Sequence, residues 1–296
     1  MKKIIGFLQL MRPANIITSI ADVLAGIAIS GFLSQSDFSK HNISLLILLC
    51  ISTIGLYGGG VVFNDVFDSD LDKVERPERP IPKGIVTIGE AALLGAVLLL
   101  TGIISATIVS KISGLLAISI AIAALIYNKW TKHNSVAGPL NMGLCRGLNL
   151  LLGISIVVSS IHEWWFISFI PIIYIAAITM ISRGEVHGGS KNILYFAGLL
   201  YCIVIACILL LSYTKEMIWW TIIFLLPFVW MIFSALLKAI NMPAPQNIGK
   251  AVKAGVLALI LMNAAWAVAF GAITLAFIII LLLPLSLWLS KLFAVT

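Results

Sequence analysis

The chain has 296 residues, 61% of them hydrophobic and only 10% charged, against about 25% charged in a soluble domain, so an ordinary soluble globule is excluded. The formal net charge of +7 raises nucleic acid as a partner. Lys and Arg sit mostly in short connections between apolar stretches, however, which is the pattern that membrane topology imposes, and no nucleic acid is expected.

A hydrocarbon layer of roughly 30 Å takes about 20 apolar residues per helix. Such windows fall near 15–33, 44–66, 88–109, 112–128, 136–159, 164–183, 193–213, 217–238, 250–271 and 273–292. The expected fold class is an all-α, polytopic transmembrane helical bundle of nine or ten spans, the last two parted only by Gly271 and Ala272. Lys2 and Lys3 are followed by Arg12, Pro13 and a full-length span without a small-residue cleavage site, so the first span is expected to be retained. Cys50, Cys145, Cys202 and Cys207 lie in apolar segments without metal-ligand spacing and read as small hydrophobes. Trp164, Trp165, Trp219 and Trp220 stand at span ends, where amphipathic rings suit the headgroup level.

The amino terminus and the even-numbered connections carry fourteen Lys and Arg residues, and the odd-numbered ones only Lys40, Lys111 and Lys215. Fourteen against three predicts an integral protein of the cell (cytoplasmic) membrane with its amino terminus in the cytoplasm. Spans 2, 4 and 6 then all run inward, and their carboxyl ends share one face.

In chain order, Asn15 and Asp22 come first, seven residues apart and able to face one side of the first span. Six of the twelve acidic residues fall between Asp65 and Glu78, after the second span. Asn64, Asp68 and Asp72 are spaced i, i+4, i+8, and Asp65 stands three before Asp68. On a helix these four share a face from which Asp70 points away. Like charges at this spacing repel. A hard cation with oxygen ligands resolves the repulsion, and Mg²⁺ suits because it takes one or two carboxylates and shares phosphate oxygens. Pro77, Pro80 and Pro82 stop the helix. Arg76, Arg79 and Lys83 follow on a loop that can fold back over the site with phosphate-binding donors.

Tyr127, Asn128, Lys129 and Lys132 close the fourth span on the same face. In the fifth, Asn141, Cys145 and Asn149 form a stripe beside Arg146, whose charge must face the bundle or a wet cavity. Arg146 and Asp22 read equally as the lining of an acceptor pocket and as an interhelical pair. After the sixth span the chain reads ISRGEVHGGSKN, where Glu185 is the one acid, with Arg183, His187 and Lys191 around it.

The run N-D-x-x-D-x-x-x-D from Asn64 to Asp72, with R-P-x-x-x-G from Arg79, resembles the first aspartate motif of the UbiA superfamily of intramembrane prenyltransferases. Arg12-Pro13-Ala14-Asn15 is similar to that family's entry to the first helix, and Tyr127 with Lys132 to its Tyr…Lys element after the fourth. The resemblance implies one transmembrane domain over residues 1–296 and Mg²⁺ as cofactor. It gives Asn64, Asp68 and Asp72 metal or diphosphate roles and Arg79 a phosphate role. The family usually carries a second aspartate-rich motif after the sixth helix. Here Glu185 alone remains as a ligand, and Arg183 or Lys191 is expected to meet phosphate charge in place of a second metal. The wording S-R-G-E-V-x-G-G resembles the EboC-like branch of the superfamily.

The function that follows is Mg²⁺-dependent transfer of an isoprenyl group from isoprenyl diphosphate to a lipophilic acceptor, with membrane lipid as the solvent. Asp68, Asp72 and Glu185 are the expected catalytic acids. Two alternatives belong to other classes. One is a terpene cyclase or diphosphate-releasing enzyme, and the other a non-catalytic lipid binder or transporter.

Overall fold

A computed structural model describes residues 2–35, 39–185 and 188–293; His187 lies outside the described residues. The helices are α1 (Lys2–Met11), α2 (Pro13–Ile29), α3 (Phe32–Gln35), α4 (Lys40–Phe67), α5 (Ser69–Glu75), α6 (Ile88–Val109), α7 (Lys111–Ile126), α8 (Ala137–Ile154), α9 (Val158–Trp164), α10 (Phe169–Ser182), α11 (Lys191–Thr214), α12 (Ile218–Asn241), α13 (Pro245–Ala269) and α14 (Ile273–Leu292). Each of the ten apolar windows coincides with a helix, and no strand occurs among the described residues.

Among the described residues, eight segments are long and apolar enough to cross a membrane, and α1 with α2, bent by 43° at Arg12, makes a ninth. The window over α8 falls short because Asn141, Arg146 and Asn149 dilute its apolarity. Gly271, at φ 80°, turns the chain between α13 and α14, so the last window pair is two packed helices rather than one broken one.

The core forms around α2 and α13. Every residue from Leu257 to Ala269 on α13, and from Val23 to Ile29 on α2, is buried, as expected of helices apolar all round. Two glycines bring α2 and α8 together. A Cβ on Gly26 would lie 2.3 Å from the Leu150 carbonyl oxygen, and one on Gly153 would lie 2.2 Å from that of Val23. Only hydrogen fits at this crossing, as is common where membrane helices approach closely. That approach lets polar groups on α2 reach polar groups on α8.

At one end of the bundle α1 packs over the loop after α5. Leu10 is buried with Val62, Ile81 and Val86, and Phe7 and Met11 lie against them. This apolar clasp fixes the loop that bears Arg79. Arg12, between α1 and α2, adopts a left-handed backbone at φ 50°, uncommon for a non-glycine residue and held here by the contacts of its side chain.

Candidate functional site

The acidic motif straddles a helix junction. α4 ends at Phe67, Asp68 takes φ −90° and ψ 3°, and α5 resumes at Ser69. The Asp68 amide still donates to the Asn64 carbonyl at 3.0 Å, and the Asp72 amide to that of Asp68 at 2.8 Å. The i+4 register therefore survives the junction, and Asp65 and Asp72 are both buried. Asp70 points away with its side chain 91% exposed, paired with Lys73, and that ammonium holds its carboxyl below the usual range.

Three cations converge on the three inward carboxylates. Arg12 and Arg79 both donate to Asp65 Oδ1, each at 3.0 Å, and Arg79 also donates to Asp72 Oδ2 at 2.7 Å. Lys132 pairs with Asp68 Oδ1. These groups come from the α1–α2 junction, the end of α4, α5, the loop after it and the end of α7, so the carboxyl ends of the second and fourth windows meet as their parity requires. A π-helical turn over Tyr127–Thr131 aims the end of α7 at the cluster. Such turns often mark functional sites. Asn128 anchors it by donating to the Gly60 carbonyl at 2.7 Å.

Beside the cluster opens a cavity of about 340 Å³ between α2, α4, α7, α8, α10 and α13, within the ordinary range for small-molecule sites. Leu56, Ile120, Ile178 and Leu259 give it apolar walls. Arg12, Asn64, Tyr127 and Glu185 also line it. Glu185 is half-buried in the loop after α10. Burial pushes its carboxyl up, and the Arg76 guanidinium opposes that shift.

Further in, Arg146 donates to Asp22 Oδ2 at 2.7 Å and to Thr18 Oγ1 at 2.8 Å. Asn149 and Asn263 also donate to Asp22, and Thr53 Oγ1 donates to Asn149 Oδ1 at 2.8 Å. Arg146 and Asp22 are thus an interhelical pair, and of the two only Arg146 lines the cavity, with Asn149 and Asn15.

Other sequence candidates stand apart. Arg183 is exposed and donates to the Asn134 and Ser135 carbonyls, and Lys191 and Lys83 are exposed on the surface. The cavity residues Thr53 and Tyr57 were not singled out from the sequence, nor was Asn263. Their signal was present. Thr53, Tyr57, Gly60 and Asn64 recur at helical spacing on α4, and Asn263 interrupts a long apolar run on α13.

No cluster of three His, Cys, Asp or Glu side chains forms a finished metal centre among the described residues. The oxygen chemistry nonetheless fits Mg²⁺ completed by a ligand's phosphate. Asp68 Oδ2 and Asp72 Oδ1 accept no hydrogen bond among the described residues, and Asn64 stands one turn before Asp68 at the cavity wall. Asn64, Asp68 and Asp72 would hold the ion, with water and phosphate oxygens filling the rest of its shell.

Fold and site together define a polytopic integral membrane protein in which an ion-paired acidic cluster caps a largely apolar cavity. The model of the UbiA prenyltransferase family matches residues 23–247, and the chain belongs to that family. The digeranylgeranylglyceryl phosphate synthase of Sulfurisphaera tokodaii is 26% identical over 203 residues, 66% of this chain and 70% of the relative. That of Methanothrix thermoacetophila is 29% identical over 221 residues, 70% of this chain and 78% of the relative. Among solved structures, one from work on digeranylgeranylglyceryl phosphate synthase in membranes shares the fold with a TM-score of 0.67 at 23% identity, covering 93% of this chain and 100% of that one. A UbiA homologue from Archaeoglobus fulgidus bound to GPP and Mg²⁺ shares it with a TM-score of 0.62 at 17% identity, covering 91% and 99%. Prenyl transfer is therefore the activity class of this chain.

Proposed function

We propose that the protein transfers an isoprenyl group from an isoprenyl diphosphate to a lipophilic acceptor inside the membrane, with Mg²⁺ bound at Asn64, Asp68 and Asp72. The supporting observation is the junction of the Asp68–Lys132 and Asp72–Arg79 pairs with a cavity that is apolar within. The diphosphate belongs at the charged mouth and the isoprenyl chain against Leu56, Ile120, Ile178 and Leu259. Mg²⁺, when bound, offsets the negative charge that builds on the departing diphosphate.

Arg79 and Lys132 perform the same electrostatic work from positions fixed by their aspartate partners, their remaining N–H donors meeting phosphate oxygens as the leaving group gains charge. Asp65 holds Arg12 and Arg79 in place through paired hydrogen bonds. The apolar walls keep water from the allylic carbon until the acceptor attacks. Glu185, in the cavity lining and under the influence of the Arg76 charge, would hold phosphate-bound metal or a polar acceptor group. The test is direct. Purified protein in nanodiscs is given a radiolabelled isoprenyl diphosphate and a membrane lipid extract, with Mg²⁺ or with chelator. Label should move into an acceptor lipid only with Mg²⁺, whereas label recovered solely as a cyclised or free prenyl alcohol would assign a cyclase or hydrolase instead.

The fourteen-to-three distribution of basic residues supports an amino terminus and acidic cluster on the cytoplasmic side. Single cysteines placed at Lys83 and Lys215 report this by impermeant thiol labelling of intact cells. Lys215 should label and Lys83 should not, and the reverse pattern would invert the topology.

A further inference from the structure

Charge matching within the cavity restricts what can enter as acceptor, given the transfer reaction above. Its lining contains three charged side chains, Arg12, Arg146 and Glu185. Both cations are already matched by buried aspartates, Arg12 by Asp65 at 3.0 Å and Arg146 by Asp22 at 2.7 Å. Asp22 is 1% exposed and fixed by Asn149 and Asn263 as well, so it does not swing away from Arg146.

Its side chains also balance at the mouth. Arg12, Arg79 and Lys132 face Asp65, Asp68 and Asp72, three cations against three anions. The positive charge that Mg²⁺ adds there is engaged by the donor's diphosphate. A second anion, such as a phosphate monoester on the acceptor, would have to shed its water in a low-dielectric cavity whose two lining cations are already matched by aspartates.

Hydrogen-bonding capacity, by contrast, is available. Of the five N–H donors that a guanidinium carries, Asp22 and Thr18 engage two, and Tyr57, whose ring lies 4.9 Å from the Arg146 group at the cavity wall, is a third side-chain partner, which leaves donors over. Arg146 and Asn149 are 7% and 5% exposed and both line the cavity. We propose that the acceptor group entering this cavity is electrically neutral, an alcohol of a lipid, and that Asp22 sets this specificity by cancelling the charge of Arg146. Asp22 is a specificity-determining residue that acts through Arg146 and does not touch the acceptor.

The test uses the full chain in nanodiscs of neutral lipid, with geranyl and geranylgeranyl diphosphate as donors, Mg²⁺, and two acceptors of identical chain, 1-O-hexadecylglycerol and its phosphate monoester. The wild type should favour the alcohol by about tenfold or more in kcat/KM, the scale of one unpaired charge at a binding site. Asp22→Asn should shift the phosphate-to-alcohol ratio toward the phosphate by a similar factor. Asp22→Asn combined with Arg146→Gln, which restores neutrality, should return the ratio to the wild-type value. A purely structural role for the pair would lower both rates without moving the ratio, and that result overturns the proposal. So does equal or better use of the phosphate by the wild type. If Asp22→Asn fails to fold, native mass spectrometry of both acceptors on the wild type decides, because tighter binding of the phosphate overturns it equally. Release of diphosphate with no transfer to either acceptor removes the transferase reading itself, and this inference with it.

Discussion

Alanine at Asp68 or Asp72 is expected to reduce Mg²⁺-dependent prenyl transfer by about 100-fold or more, the scale on which loss of one preorganised electrostatic partner acts. Alanine at Asp70 should change it by less than roughly twofold, since an exposed ion pair contributes little. The three residues differ in where they point. Asp68 and Asp72 each commit one carboxylate oxygen to a cation, and the other accepts no hydrogen bond among the described residues, whereas Asp70 stands in solvent with Lys73. Loss of Asp68 also frees Lys132, and loss of Asp72 leaves Arg79 to Asp65 alone. Binding of a non-hydrolysable isoprenyl diphosphate analogue, titrated with Mg²⁺, separates metal affinity from donor affinity. Both should weaken at Asp68 and Asp72, and equal effects at all three positions would contradict a shared ligand face.

How far the sequence led depends on the kind of signal. Span positions were legible because hydrocarbon thickness fixes helix length, and each apolar window became a helix. The shared face of Asn64, Asp68 and Asp72 was legible because a 3.6-residue period needs no tertiary information, and the register persists across the junction at Asp68 through its i+4 hydrogen bonds. Pairing across the bundle was not legible. Arg12 on Asp65 depends on a left-handed residue at a 43° bend, and no sequence spacing encodes that bend. Lys132 reaches Asp68 because a π turn shifts the end of α7.

Arg183 shows the limit from the other side. Beside Glu185 in the chain it reads as a phosphate ligand, yet the turn after α10 sends its side chain to the carbonyls of Asn134 and Ser135. Arg76, eleven residues downstream of Asp65, is the cation whose charge lowers the Glu185 carboxyl against its burial. Neighbours in sequence do not define neighbours at a site assembled from three connections.

Arg146→Met is expected to give the largest loss of stability of any single substitution in the cavity wall. It leaves Asp22 charged and 1% exposed with only the amides of Asn149 and Asn263 to solvate it, and breaking a buried pair from one side costs about 3–5 kcal/mol. Combining it with Asp22→Asn should recover most of that loss. The asparagine is neutral, and its oxygen still accepts from one of the two amides, so no buried charge remains unmatched. The asymmetry follows from desolvation: the pair contributes little net stability relative to a neutral filling, while half of it is strongly destabilising. Thermal unfolding of the detergent-solubilised wild type, single and double variants reads this out, with the single variant's midpoint well below the other two. A single variant as stable as wild type would mean that water reaches Asp22, and the low-dielectric setting on which acceptor selection depends would then be lost with it.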